Sequence, residues 1–172
     1  AAVCQFSNLG TAVEPVITVM QSGIPVARIE LLDEDQMEAC IKYSKLEGFE
    51  PLPTLFLEFH GTEAGVREQA EAVEAIAGDF GASGFAWATD AESRNRLWQA
   101  RHDAYWAAVN LKPGHRGITT DVCVPISRLA EAVLGAKQKS RESGLTSCIV
   151  GHVGDGNFHC LILFPENEPD GL

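Results

Sequence analysis

His152 and His159 end the two arms of Gly151-His152-Val153-Gly154-Asp155-Gly156-Asn157-Phe158-His159. Asp155-Gly156 is a favoured two-residue turn of the primed type, in which both central positions need φ > 0. A hairpin closed there pairs Gly154 with Asn157, Val153 with Phe158 and His152 with His159. Directly opposed side chains share a face, with Cβ atoms about 4.5–5.5 Å apart. Two imidazoles so placed can share one divalent ion at roughly 2.1 Å from each ring nitrogen. Two ligands do not complete a site, and no other acidic or histidine-rich motif supplies a third. The pattern reads equally well as a hairpin with an incidental histidine pair.

Arg101 is the second candidate. On a helix spanning Glu92 to Val109, Trp98, Arg101 and Tyr105 fall on one face, and Leu97, Arg101 and Tyr105 form a neighbouring row. A guanidinium flanked by aromatics suits a small carboxylate, because the fork binds both oxygens and the rings exclude water. The alternative is a surface arginine whose stem covers an apolar stripe. Arg116, beside Pro113-Gly114-His115, is either a second anion contact or a solvated loop charge. Asp121 can orient a neighbour. His60, His102 and His115 read as structural, and Asp155 and Asn157 as turn residues.

These residues need a scaffold, and the hydrophobic periodicity supplies one. Strands are expected over Ala1–Phe6, Val26–Leu32, Thr54–His60, Gly84–Ala88 and Gly117–Val124, with the hairpin over Cys148–Phe164. Helices are expected over Leu9–Gln21 (capped by Ser7 or Asn8), from Asp33 to Leu46, from Thr62 or Glu63 to Ala77, from Thr89 or Asp90 to Val109 or Asn110, and from Ile126 to Glu142. Strands and helices alternate and close on an antiparallel hairpin. That predicts one α+β domain, a mostly antiparallel sheet with helices packed on it. A doubly wound parallel sheet also alternates, but no G-x-G-x-x-G follows a strand, and there is no P-loop or G-x-S-x-G elbow.

The 172 residues suffice for one domain with a sizeable core. A formal net charge of −11 argues against nucleic acid and anionic membrane as partners, though not against a small anionic substrate held by local charge. No apolar run approaches the ~18 residues of a membrane span. Ala1–Phe6 lacks the basic region and apolar core of a signal peptide, so secretion is not expected. Cys4, Cys40, Cys123, Cys148 and Cys160 are odd in number, scattered, mostly set in apolar runs and without a C-x-x-C pair, which reads as reduced, buried thiols in a reducing compartment. The sequence opens inside an apolar strand and closes in the polar tail Pro165–Gly171, as a piece of something longer would.

The segment 151–159 resembles the metal-binding motif of the FAD-linked oxidase family, the vanillyl-alcohol-oxidase type flavoproteins. Pro25-Val-Ala-Arg-Ile-Glu-Leu-Leu-Asp33, Pro53-Thr-Leu-Phe-Leu-Glu-Phe-His-Gly61, Leu97-Trp-Gln-Ala-Arg-His102 and Thr120-Asp-Val-Cys-Val-Pro-Ile-Ser-Arg-Leu129 extend the resemblance over nearly the whole chain. They look most like the cytochrome-linked D-lactate dehydrogenases, with glycolate oxidase subunits and D-2-hydroxyglutarate dehydrogenases as near relatives. The resemblance implies a single, incomplete cap domain over residues 1–172 with a ferredoxin-like sheet, its FAD-binding domain lying upstream. It implies that a Gly-Glu-His-Gly segment, absent from this sequence, supplies the third metal ligand and the base. His152 and His159 become ligands of Zn or Mn, Arg101 holds the substrate carboxylate, and Arg116 sits where relatives often carry Lys. Tyr105, bulky where hydroxyglutarate relatives carry a small hydroxyl residue, favours a short substrate such as D-lactate. The implied reaction passes a hydride from a 2-hydroxyacid to FAD, and then electrons to cytochrome c or a quinone, in mitochondria or the bacterial cytoplasm. The isolated chain is expected to be inactive. A non-catalytic module that binds an anion or a partner through Arg101 is the competing expectation.

Overall fold

Alternate residues of β2 (Val26–Leu32) enter two different cores: Ile29 and Leu31 pack on one face of the sheet and Leu32 on the other. The computed structural model describes residues 1–88 and 91–166, apart from the side chains at 91, 96, 97 and 100. Around β2 lie β1 (Ala2–Gln5), β3 (Thr54–Phe59), β4 (Ser83–Trp87), β5 (His115–Thr119), β7 (Thr146–Gly151) and β8 (Asn157–Pro165), in the order β4-β1-β3-β2-β7-β8-β5. A short β6 (Val122–Cys123) also pairs with β8, and every pairing among the described residues is antiparallel. The order β4-β1-β3-β2, with α1 (Leu9–Gln21) and α3 (Glu63–Asp79) packed over one face, is the ferredoxin-like arrangement, so the expected α+β fold is the one observed. The helix α6 (Leu129–Ser143) joins that face. The other face is covered by α2 (Glu34–Ser44), α4 (Ala91–His102) and α5 (Ala104–Asn110). There Met37, Trp98, Ala104 and Ala107 pack against Val3, Leu32, Phe56 and Val150.

The caps show why the helices begin where they do. Asn8 Oδ1 accepts from Thr11 N–H at 3.0 Å, Asp33 Oδ1 from Gln36 N–H at 2.8 Å, and Thr62 Oγ1 from Gly65 N–H at 3.2 Å. The cap expected at Thr89 or Asp90 lies outside the described residues, as does the tail beyond Glu166. No helix among the described residues is long and apolar enough to cross a membrane.

Three local expectations change. The helix over 90–110 is interrupted at Asp103, so Arg101 ends α4 while Tyr105 begins α5. The strand over 117–124 is divided at Thr120–Asp121. The hairpin does not turn on two residues: Val153–Asp155 form a 3-10 turn, and of Asp155 and Gly156 only Gly156 takes a positive φ, of 75°. The turn buries Val153 fully in the α1 core, an apolar gain that a tight Asp-Gly turn would forfeit. The register moves with it. His159 stands opposite Val150, and His152 lies beyond the end of β7.

Four of the five cysteines are buried and Cys123 is exposed. Burial pushes the Cys4 thiol up to about 12 and the Cys40 thiol to about 11, and raises Cys148 and Cys160 as well. A thiol raised in the folded state contributes stability that is intact below its unfolded value, about 8.5, and is lost as pH climbs toward the folded value. Each masked thiol therefore costs about 1.4 kcal/mol per pH unit in that window. Urea midpoints under reducing conditions should fall steeply between about pH 8 and about pH 10. Equal midpoints would contradict the burial of these thiols.

Candidate functional site

Glu30 lies on β2 with 1% of its surface exposed, on the sheet face where Leu32, Phe56 and Val150 pack. A carboxylate there needs partners, because an unpaired charge in an apolar layer is strongly destabilising. It has two. Its Oε2 accepts from Arg101 Nε at 2.9 Å, and its Oε1 meets His152 Nδ1. Arg101 comes from the last turn of α4, and His152 from the residue where β7 gives way to the 3-10 turn. Three distant parts of the chain thus converge on one buried group.

His159 lies on the same face, since it opposes Val150 across the ladder. It fills the interruption between β5 and β6. Its Nδ1 is 3.0 Å from the Thr120 carbonyl and 3.6 Å from Asp121 Oδ1, and the Thr120 hydroxyl accepts from Cys160 N–H at 3.0 Å. Asn157 Nδ2 donates to the same Asp121 oxygen at 2.8 Å. Asp121 therefore does orient neighbours, and Asn157 does more than make a turn. Each imidazole engages a protein acceptor through Nδ1, and no partner meets either Nε2 among the described residues. A metal-binding histidine has this form: the proton sits on the anchored nitrogen and the lone pair on the other. The donor set fits a divalent ion such as Zn or Mn.

The other expected site residues fare differently. Tyr105 lies one turn past Arg101, across the break at Asp103; it is 44% exposed and its ring is edge-on to Trp106 at 5.2 Å. Trp98, whose ring lies 6.5 Å from Phe56, carries the guanidinium of Arg28 at 4.6 Å. The aromatic–arginine stack expected for Arg101 thus involves an arginine from β2. The side chain of Leu97, expected in the same row, lies outside the described ones. Arg116 is not brought to this group. A Cβ on Gly117 would meet Leu161 and Val109, so Gly117 faces α5, and Arg116, one residue earlier, faces away and pairs with Glu166 at 3.1 Å. His60 pairs with Glu58 at 3.1 Å, and His115 Nδ1 lies 3.5 Å from the Pro113 carbonyl.

Among the described residues, the one set of three acidic, histidine or cysteine ligand atoms close enough to share an ion is Asp33, Glu34 and Asp35. A cation is already built in: Lys137 Nζ lies 2.6 Å from Asp33, 2.5 Å from Asp35 and 3.1 Å from Glu34. A cavity of about 740 Å³ opens elsewhere, between the ends of β3 and β4 and the start of α3. One of about 370 Å³ adjoins His152 and is lined also by Met20, Val26, Arg28 and Ile29.

Glu30 is the residue that periodicity conceals. Alternating with Ile29 and Leu31, it reads as the solvent side of a strand, yet helices cover both faces of this sheet. The available signal is the helical segment on each side of β2, which predicts a sheet buried on both faces, where an acidic residue needs a reason.

Residues 1–171 match the family described as FAD linked oxidases, C-terminal domain. The chain is 48% identical over 170 residues to a probable mitochondrial D-lactate dehydrogenase of Danio rerio, covering 99% of this chain and 34% of that protein. It is 43% identical over 168 residues to the mitochondrial D-lactate dehydrogenase [cytochrome] of Arabidopsis thaliana, covering 97% of this chain and 30% of that one. The chain thus spans about a third of the length of these relatives. An alkyldihydroxyacetonephosphate synthase structure shares the fold, with a TM-score of 0.66 at 15% identity over 97% of this chain and 36% of its own.

Proposed function

Because this chain belongs to the FAD linked oxidases as their C-terminal domain, we propose that it forms the substrate- and metal-binding face of a flavin-dependent D-2-hydroxyacid dehydrogenase that oxidises D-lactate to pyruvate. The observation that carries this reading is the convergence of Arg101, Glu30 and His152 on the face that also holds His159. His152 and His159 would hold a divalent ion, Zn or Mn, through Nε2; when bound it polarises the substrate hydroxyl and carboxylate. FAD, when bound by parts of the protein outside these residues, would supply the hydride acceptor for C2. The third metal ligand and the base that takes the hydroxyl proton also come from outside this chain.

Arg101 holds the substrate carboxylate. Its Nε is committed to Glu30, which leaves the two terminal nitrogens for a planar anion and fixes the face that C2 presents. Because Glu30 offsets the charge of Arg101, a divalent ion held beside it would strengthen anion binding here. The same offset weakens the reading of a simple anion-binding module. Tyr105 bounds the substrate's tail, which supports D-lactate over D-2-hydroxyglutarate, and the two D-lactate dehydrogenase relatives support it over glycolate. Arg116 has no part in this reading. An acceptor such as cytochrome c or a quinone would take the electrons, in a mitochondrion or a bacterial cytoplasm.

The test uses the full-length protein with FAD bound and oxygen excluded. D-lactate should bleach the flavin absorbance rapidly, while L-lactate, glycolate and D-2-hydroxyglutarate should not. Preferential bleaching by another of these acids would overturn the substrate assignment, and no bleaching by any would overturn the enzyme reading. The 172-residue chain alone should give no turnover with any of them.

A further inference from the structure

We propose that Glu30 is the positioning residue of this site, setting which nitrogens His152 and Arg101 present. The inference deepens the reading above and rests on it for its functional meaning. An ionised carboxylate only accepts. Contact with Glu30 Oε1 therefore places the His152 proton on Nδ1 and the lone pair on Nε2. A neutral imidazole in water prefers the opposite tautomer, so the ligating form is one that Glu30 imposes. On the other side, Oε2 takes Arg101 Nε at 2.9 Å and leaves the terminal fork unspent. One buried group thereby orients both the metal ligand and the anion ligand.

Stability alone does not call for a carboxylate at this place. Leu32, Phe56 and Val150 share its face, and a buried ion pair is often no more stable than apolar side chains of similar volume. Glu30 also has no exposed oxygen with which to meet substrate, which separates positioning from direct catalysis.

Glu30→Gln separates the roles. The amide offers one acceptor and one donor. Arg101 can only donate, so it takes the carbonyl oxygen; His152 must then accept from the amide NH₂, which it does by moving its proton to Nε2. Long-range ¹H–¹⁵N correlation of the side chains, at about pH 8.5 and above the ordinary imidazole range, reads this directly in the full-length protein stripped of metal by a chelator. Wild type should show His152 with Nδ1–H and a slowly exchanging Arg101 Nε–H. Glu30→Gln should show His152 with Nε2–H and retain the Arg101 signal. An Nε2–H tautomer in wild type would overturn the proposal even if the variant failed to fold, as would an unchanged tautomer in a folded variant. Flavin bleaching does not enter this measurement, so the dehydrogenase reading can fail while Glu30 still sets the tautomer, and the reverse.

Discussion

Lys137→Met is expected to lower the unfolding free energy by about 3–5 kcal/mol, the cost of leaving a buried charge without its partner. Lys137 is 4% exposed and reaches from α6 to the start of α2, where Asp33 is fully buried. Asp33 cannot turn to water, because its other oxygen caps α2 through Gln36 N–H. Burial raises the Asp33 carboxyl to about 6 despite the pull of Lys137. The three surrounding carboxylates hold the Lys137 ammonium above its ordinary value, although burial works against it. Without Lys137, the Asp33 carboxyl rises further. A raised carboxyl contributes stability that is full below its unfolded value, about 3.9, and is lost as pH climbs through the folded value. Wild type and variant lose this stability alike up to about pH 6, where wild-type Asp33 titrates, so the extra penalty should open above about pH 6 and shrink below it. Urea unfolding of wild type, Lys137→Met and the double variant Asp33→Asn/Lys137→Met checks this. The double variant should recover much of the loss, since Asn caps a helix as well as Asp does. A single variant as stable as wild type at neutral pH would show that Asp33 is not charged against Lys137.

Gly151→Ala should cost about 1–3 kcal/mol or more through overpacking, and should disturb the site as well as the fold. A Cβ at Gly151 would lie 2.4 Å from Phe158 Cα and 2.6 Å from the Asn157 carbonyl oxygen. Both are backbone atoms of the facing strand, so β7 and β8 would have to separate between His152, just past the end of β7, and His159 on β8. Gly154→Ala is the comparison within the same turn. Its Cβ would meet Ile29 at 3.4 Å, a contact that a small side-chain movement accommodates. Denaturant midpoints should fall much further for Gly151→Ala than for Gly154→Ala. Equal losses would contradict the close approach of the two strands.

Much of this was legible in the residues. The helices α1, α2 and α3 begin at side chains that announce a cap, and apolar runs mark the strands β1, β2 and β3 between them. The motif carrying His152 and His159 marks the candidate metal-binding segment by its residue types. The misreadings have physical causes. Asp155-Gly156 has the composition of a tight turn, but local preference yielded to the burial of Val153, which lengthened the turn and shifted the register. Periodicity carried Arg101 and Tyr105 along one helix, but the interruption at Asp103 places them on successive helices. Arg116 and Gly117 are neighbours in sequence and stand on opposite faces, because the side-chain period of a strand is two.

By itself the sequence determined the α+β class, the helices and strands in their order, the burial of most thiols, and the histidine motif with its family. All of these follow from local propensity, composition and contiguous pattern. Tertiary structure alone decided that Glu30 would meet Arg101 and His152, that Trp98 would carry Arg28, and that Lys137 would stand among Asp33, Glu34 and Asp35. Each of these pairs residues far apart along the chain, and those at Glu30 and Asp33 exist because the sheet is covered on both faces, so charges that look solvated in sequence are forced to find one another.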